Sequence, residues 1–126
     1  MRAIDTNVLV RLIARDDPAQ VARAEAAIEK GAWVSHLVLA ETVWVLDAVY
    51  RRSSKQIALA VEMLLDHAQL SVQEAHLVAR ALERFRAHPK LGFSDCLILE
   101  TARQNGHLPL VTFDRRLGDA DGGERI

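Results

Sequence analysis

Short apolar runs alternate along this chain with longer stretches of helical periodicity, and polar capping residues stand at several of the junctions. Strands separated by helices pair in parallel, because a tight turn joins only antiparallel neighbours. The first junction is "AIDTNVLVR", residues 3 to 11. Alternation there would allow one strand, with Ile4, Thr6, Val8, Val10 and Leu12 sharing a face. The polar trio Asp5, Thr6 and Asn7 favours a break instead, since these side chains cap helices and Val8, Leu9, Leu12 and Ile13 then fall on one helical face. The preferred division is a strand ending near Asp5, then a helix. Asp5 thereby sits at the carboxyl end of a strand, where ligands of open α/β sheets bind.

The same grammar repeats. Asp17, Pro18 and Gly31 bracket a second helix, and "AWV" at 32–34 is a short strand. Ser35 caps a long apolar helix, "HLVLAETVWVLDAVY", and Ser53 and Ser54 open another, "KQIALAVEMLLDHA". "LSV" at 70–72 reads as a strand and "EAHLVARALERFRAH" as an amphipathic helix stopped by the Pro89 to Gly92 loop. Ser94 is the expected cap of a helix running to Arg103 and closed by Asn105 and Gly106, followed by a strand from about Leu108 to Phe113. The expectation is an α/β fold, a central parallel sheet of four to five short strands flanked by helices. A single domain over residues 1–126 is expected, with 118–126 either a frayed tail or an edge strand.

Composition narrows the classes of function. The chain has 126 residues, half of them hydrophobic, with 16 Lys plus Arg against 17 Asp plus Glu. A net charge of −1 argues against wholesale electrostatic capture of nucleic acid, so any such site is local. One cysteine, Cys96, forms no internal disulfide and no thiolate metal site, and a reducing cytosol is the expected compartment. No stretch reads as a signal peptide, a membrane span or a phosphate-cradling glycine loop, and the five histidines lack ligand spacing.

Four acids are not accounted for by local structure alone. Asp5 and Asp114 each follow an apolar strand, Asp95 lies in the first turn of a helix, and Glu41 has Leu37, Val38, Trp44 and Val45 as helical neighbours. Each has a bland explanation: caps for Asp5 and Asp114, the helix dipole for Asp95, a cationic partner for Glu41. In a parallel sheet, however, strand carboxyl ends and the amino ends of the following helices share one edge, where all four would converge. Two carboxylates 4 Å apart repel by about 4 kcal/mol at an effective dielectric of about 20, against a domain stability of about 5–15 kcal/mol. Such a cluster calls for a cation. All-oxygen donors favour Mg²⁺ or Mn²⁺, and the chemistry they suggest is hydrolysis of a phosphodiester.

"AIDTNVLVRL", "LVLAETVWVL", "GFSDCLILETA" and "LVTFDRRL" together resemble the four acidic blocks of PIN domains, and more narrowly the VapC ribonuclease toxins of bacterial and archaeal toxin–antitoxin pairs. The resemblance runs from Ile4 to about Leu117. It implies Asp5, Glu41, Asp95 and Asp114 as catalytic, metal-binding acids and Thr112 as the hydroxyl residue beside them. Thr6 and Asn7 are candidates to orient Asp5, although capping accounts for them, and Arg115 and Arg116 are the preferred phosphate contacts among several basic side chains that include Arg11 and Arg84. It also implies one or two Mg²⁺ or Mn²⁺ ions, a homodimer, a VapB-like antitoxin partner, and cleavage of structured RNA such as tRNA or rRNA. Here the resemblance departs in two places: Leu91 to Ser94 lack the further acid many members carry before the third block, and the chain stops soon after the last clear strand. Trp33 and Trp44 are expected in the core or in dimer contacts. The rival reading is a catalytically inactive PIN-like interaction or nucleic-acid-binding module, against which the presence of all four acids speaks.

Overall fold

The computed structural model describes all residues from Met1 to Ile126. Two units are distinguished, Met1–Ala75 and His76–Ile126. In the first, β1 (Arg2–Ala3), β2 (Ala32–Val34) and β3 (Leu70–Val72) form a parallel sheet in that order, with Arg2 opposite Ala32 and Val34 opposite Val72. The Ile4 N–H donates to the Trp33 carbonyl at 3.1 Å and carries the β1 pairing up to Asp5. Ala32 and Val34 are buried while Trp33 between them is not, the period-two signature of a pleated strand. Four helices accompany the sheet: α1 (Thr6–Ala14), α2 (Pro18–Ile28), α3 (His36–Ala48) and α4 (Ser54–Asp66). Side chains cap each of them. Asp17 Oδ1 accepts the Gln20 N–H, Ser35 Oγ the Val38 N–H, and Ser53 with Gln56 makes a reciprocal capping box. Leu9, Val21, Ile28, Leu39, Val43, Leu46, Val61 and Leu64 fill the core.

The second unit holds most of α5 (Ala75–Ala87), a 3₁₀ turn at Pro89–Leu91, α6 (Phe93–Gln104), β4 (Leu110–Thr112), α7 (Arg115–Asp119) and β5 (Gly123–Arg125). β4 and β5 pair in parallel with Leu110 opposite Gly123. A crossover between parallel strands takes a dozen or more residues in most folds, and this one is shorter. Glycines make it possible. A Cβ at Gly123 would collide with the Leu117 carbonyl, and one at Gly118 would lie 2.6 Å from the Arg125 Cβ. Leu77, Val78, Ala81, Leu82, Cys96, Leu97 and Leu99 are buried, and Phe85 meets Phe93 edge to face with centroids 6.0 Å apart.

The α/β class and its parallel strands are as the sequence suggests, and all five strands are present. They pair as three and two. Ser94 does not cap α6: the N-cap is Gly92, whose φ of 82° turns the chain out of the 3₁₀ turn, and Ser94 lies within the first helical turn. β4 is also shorter than Leu108–Phe113, and the Gly-rich segment after Asp114 forms α7 and β5 rather than fraying. Trp44 is 65% exposed and Trp33 37%, so neither is a core residue.

One buried acid escaped notice in the sequence. Glu100, 4% exposed on α6, accepts from Arg84 Nε at 2.7 Å, and Arg103 Nε lies 3.6 Å from its other oxygen. Replacing Glu100 with Ala strands a partly buried guanidinium. The expected cost is about 2–3 kcal/mol, less than the ~3–5 kcal/mol of a fully buried pair because Arg84 keeps some access to water. Urea unfolding measures it, and an unchanged midpoint would contradict a structural role for the pair.

Candidate functional site

Asp5 is the N-cap of α1. Its backbone is extended, its Oδ1 accepts the Thr6 N–H at 2.7 Å, and its carbonyl receives the Leu9 N–H. Thr6 points inward, nearly buried, and its hydroxyl donates to Glu41 Oε1 at 3.1 Å. Thr6 therefore ties two carboxylates together, one through its amide and one through its side chain. Asn7 is exposed beside them on α1.

Glu41 differs from expectation in its surroundings. It is exposed, because the apolar neighbours that suggested burial, Leu37 at 73% and Trp44 at 65%, are themselves on the open face of α3. The buried side of α3 is Leu39, Thr42, Val43 and Leu46. An α-helix with apolar residues all round does not reveal which side faces the core.

In the second unit, Asp114 caps α7, its Oδ1 accepting the Leu117 N–H at 2.8 Å. Thr112 Oγ1 accepts the Asp114 N–H at 3.0 Å, so this hydroxyl fixes the backbone at Asp114 rather than reaching a carboxylate. Asp95 stands half-buried in the first turn of α6. Burial first, and then the negative charge of Asp114, push the Asp95 carboxyl above its ordinary pKa. The next residue, Cys96, has its thiol pushed up to about 11, chiefly by burial, and is no nucleophile at neutral pH.

The structure thus brings Thr6, Asp5 and Glu41 together in one unit, and Asp95 and Asp114 near each other in the other. None of the four acids lies within ion-pair distance of a Lys or Arg, in contrast to Glu100. Neither unit by itself gathers three or more acidic, His or Cys side chains close enough to hold a metal ion. The donors are all hard oxygens, and the raised pKa of Asp95 marks a place where negative charge lacks compensation. Both properties fit a hard divalent cation. Among the basic candidates, Arg11 is occupied by Asp16 and Tyr50, and Arg84 by Glu100. Arg115 and Arg116 are exposed and unpaired.

A family model described as PIN domain matches residues 3–123, a span that takes in all four acids. No curated protein and no solved structure matches the chain. No helix is long and apolar enough to cross a membrane.

The raised pKa has a consequence for stability. The folded state disfavours ionised Asp95, so its contribution is most favourable below the unfolded carboxyl pKa of about 3.9 and is lost as pH rises through the higher folded value. Asp95→Asn removes that cost. At about pH 7.5 the variant is expected to melt roughly 1–3 °C above the parent, a gap that closes toward pH 4. A lower Tm for the variant at neutral pH would contradict this.

Proposed function

The chain belongs to the PIN-domain family, a nuclease-type fold, and from that premise we propose that it is a Mg²⁺- or Mn²⁺-dependent endoribonuclease, the VapC-like toxin of a toxin–antitoxin pair. What supports this is that Asp5, Glu41, Asp95 and Asp114 all lie within the matched span, in the four stretches that resemble the family's acidic blocks, and none is neutralised by a basic side chain.

In the proposed mechanism Asp5, Glu41, Asp95 and Asp114 would hold one or two divalent cations. When bound, such ions lower the pKa of water and neutralise charge on phosphate oxygens. The residues themselves set the geometry. Asp5 and Asp114 each commit one oxygen to a helix amide, which fixes the carboxylate and leaves its second oxygen for a ligand. The Thr6 hydroxyl, nearly dry, holds Glu41 in place although that side chain is otherwise exposed. Thr112 holds the Asp114 backbone. Arg115 and Arg116 offer free guanidinium groups for RNA phosphates.

The partners proposed are structured RNA, a second copy of the chain, and a VapB-like antitoxin, acting in the cytosol. The open face of α3, with Leu37 and Trp44, supports a protein contact. So does a cleft of about 750 Å³ in the first unit, where exposed Leu59 and Met63 stand beside Leu12 and Ile13.

Asp5→Asn and Asp95→Asn should each lower Mn²⁺-dependent RNA cleavage by about 100-fold or more, since even outer partners of metal ligands are worth ~10–100-fold, with unchanged far-UV circular dichroism. Thr6→Val, which keeps the shape and loses the hydroxyl, should lose about 10-fold. Full cleavage by both Asn variants would sink the assignment and leave a binding module.

A further inference from the structure

We propose that Phe113 is a stacking platform for an unpaired RNA base beside the phosphate that the site cleaves; this rests on the ribonuclease reading above. Phe113 is 80% exposed, whereas Phe85 and Phe93 are buried against each other. A ring placed outside forfeits the burial that ordinarily retains phenylalanine in a fold, and nothing in the packing of β4 requires it.

Its position is fixed. The ring projects between Thr112 and Asp114, and the Thr112 hydroxyl takes the Asp114 N–H while Asp114 caps α7. The first bond spans Phe113 and the second holds the residue that follows it. The residue therefore presents an aromatic face from a rigid corner, next to a proposed site acid rather than on a mobile tip.

Its surroundings select the occupant. Val111, 53% exposed on β4, precedes it by two residues. Arg115 and Arg116 follow after Asp114, both exposed and unpaired. An exposed ring followed within three residues by two free guanidinium groups matches the two features of a single-stranded nucleic acid, a base with an open face and a phosphate next to it. The bases of a duplex have no open face, so the platform distinguishes an unpaired or looped nucleotide from a paired one.

The test compares Phe113→Ala and Phe113→Tyr with the parent, in the full chain. Binding is read by anisotropy of a fluorescein-labelled single-stranded RNA of about 12 nucleotides, and of the same strand annealed to its complement. Both are measured with Asp5→Asn added so that the RNA survives. Phe113→Ala should weaken single-strand binding about 10-fold, about 1.4 kcal/mol, with Phe113→Tyr within about threefold of the parent and duplex binding changed less than about twofold. In the active background Phe113→Ala should raise KM about 10-fold and change kcat far less. Equal single-strand affinity and equal KM in the Ala variant overturn the inference while the ribonuclease reading stands. A parent that neither binds nor cleaves RNA overturns both. If Phe113→Ala instead halves the sedimenting mass with RNA affinity intact, the ring serves an interface between copies and the inference fails.

Discussion

A helix begins with amide groups that no helical carbonyl can satisfy, and in this chain the residue that closes a strand is the one that answers them. Asp5 does so after β1, Ser35 after β2 and Asp114 after β4. The arrangement decides more than helix starts. A serine in that position spends its oxygen on the cap; a carboxylate spends one oxygen and keeps another, held rigidly at the carboxyl edge of a strand. Two of these three junctions carry the carboxylate, and they are two of the stretches that resemble the family's acidic blocks. Local folding chemistry and the proposed active site use the same residues, through different oxygens.

The charges of the chain divide by how they are compensated. Glu100 is deeply buried and carries two arginines, which accounts for it as architecture. Asp95 is half-buried with no cation near, and its pKa rises in consequence. A fold under selection for stability alone tends to discard such a group or to pair it, and the retention of Asp95 in the first turn of α6 supports the proposed cation site. Asp5, Glu41 and Asp114 likewise lie outside ion-pair distance of any Lys or Arg. Thr6 adds an economy of its own, since one residue positions two acids by its backbone and its hydroxyl.

Much of this was legible in the sequence because it depends on short-range rules. The break at Asp5, the strands at 32–34 and 70–72, and the caps at Asp17, Ser35 and Ser53 all follow from capping chemistry and periodicity. What escaped depends on through-space packing. The 3₁₀ turn before α6 moved the cap from Ser94 to Gly92, and the glycines at 118 and 123, which read as a loose tail, permit the close approach of α7 and β5. Glu41 and Trp44 appeared buried because an α-helix rich in apolar residues conceals its orientation, and the hydroxyl of Thr112 has a backbone partner that spacing does not disclose. Glu100 went unseen for the same reason: its arginine at position 84 is sixteen residues away. Asp5, Asp95 and Asp114, by contrast, stand out in the sequence because each lies at or just inside a helix start that local sequence defines, whereas Glu41, in the middle of α3, stands out only by its apolar neighbours.

The central claim is that these uncompensated acids exist to hold a divalent cation. Titrating the purified chain with Mn²⁺ and following the free-ion signal by electron paramagnetic resonance tests it without any assumption about the RNA. The account predicts saturable loss of the free signal at one or two ions per chain, displaced by Mg²⁺ and weakened when Asp95 is replaced by Asn. A free-ion signal that rises in proportion to added Mn²⁺, as in protein-free buffer, would contradict it.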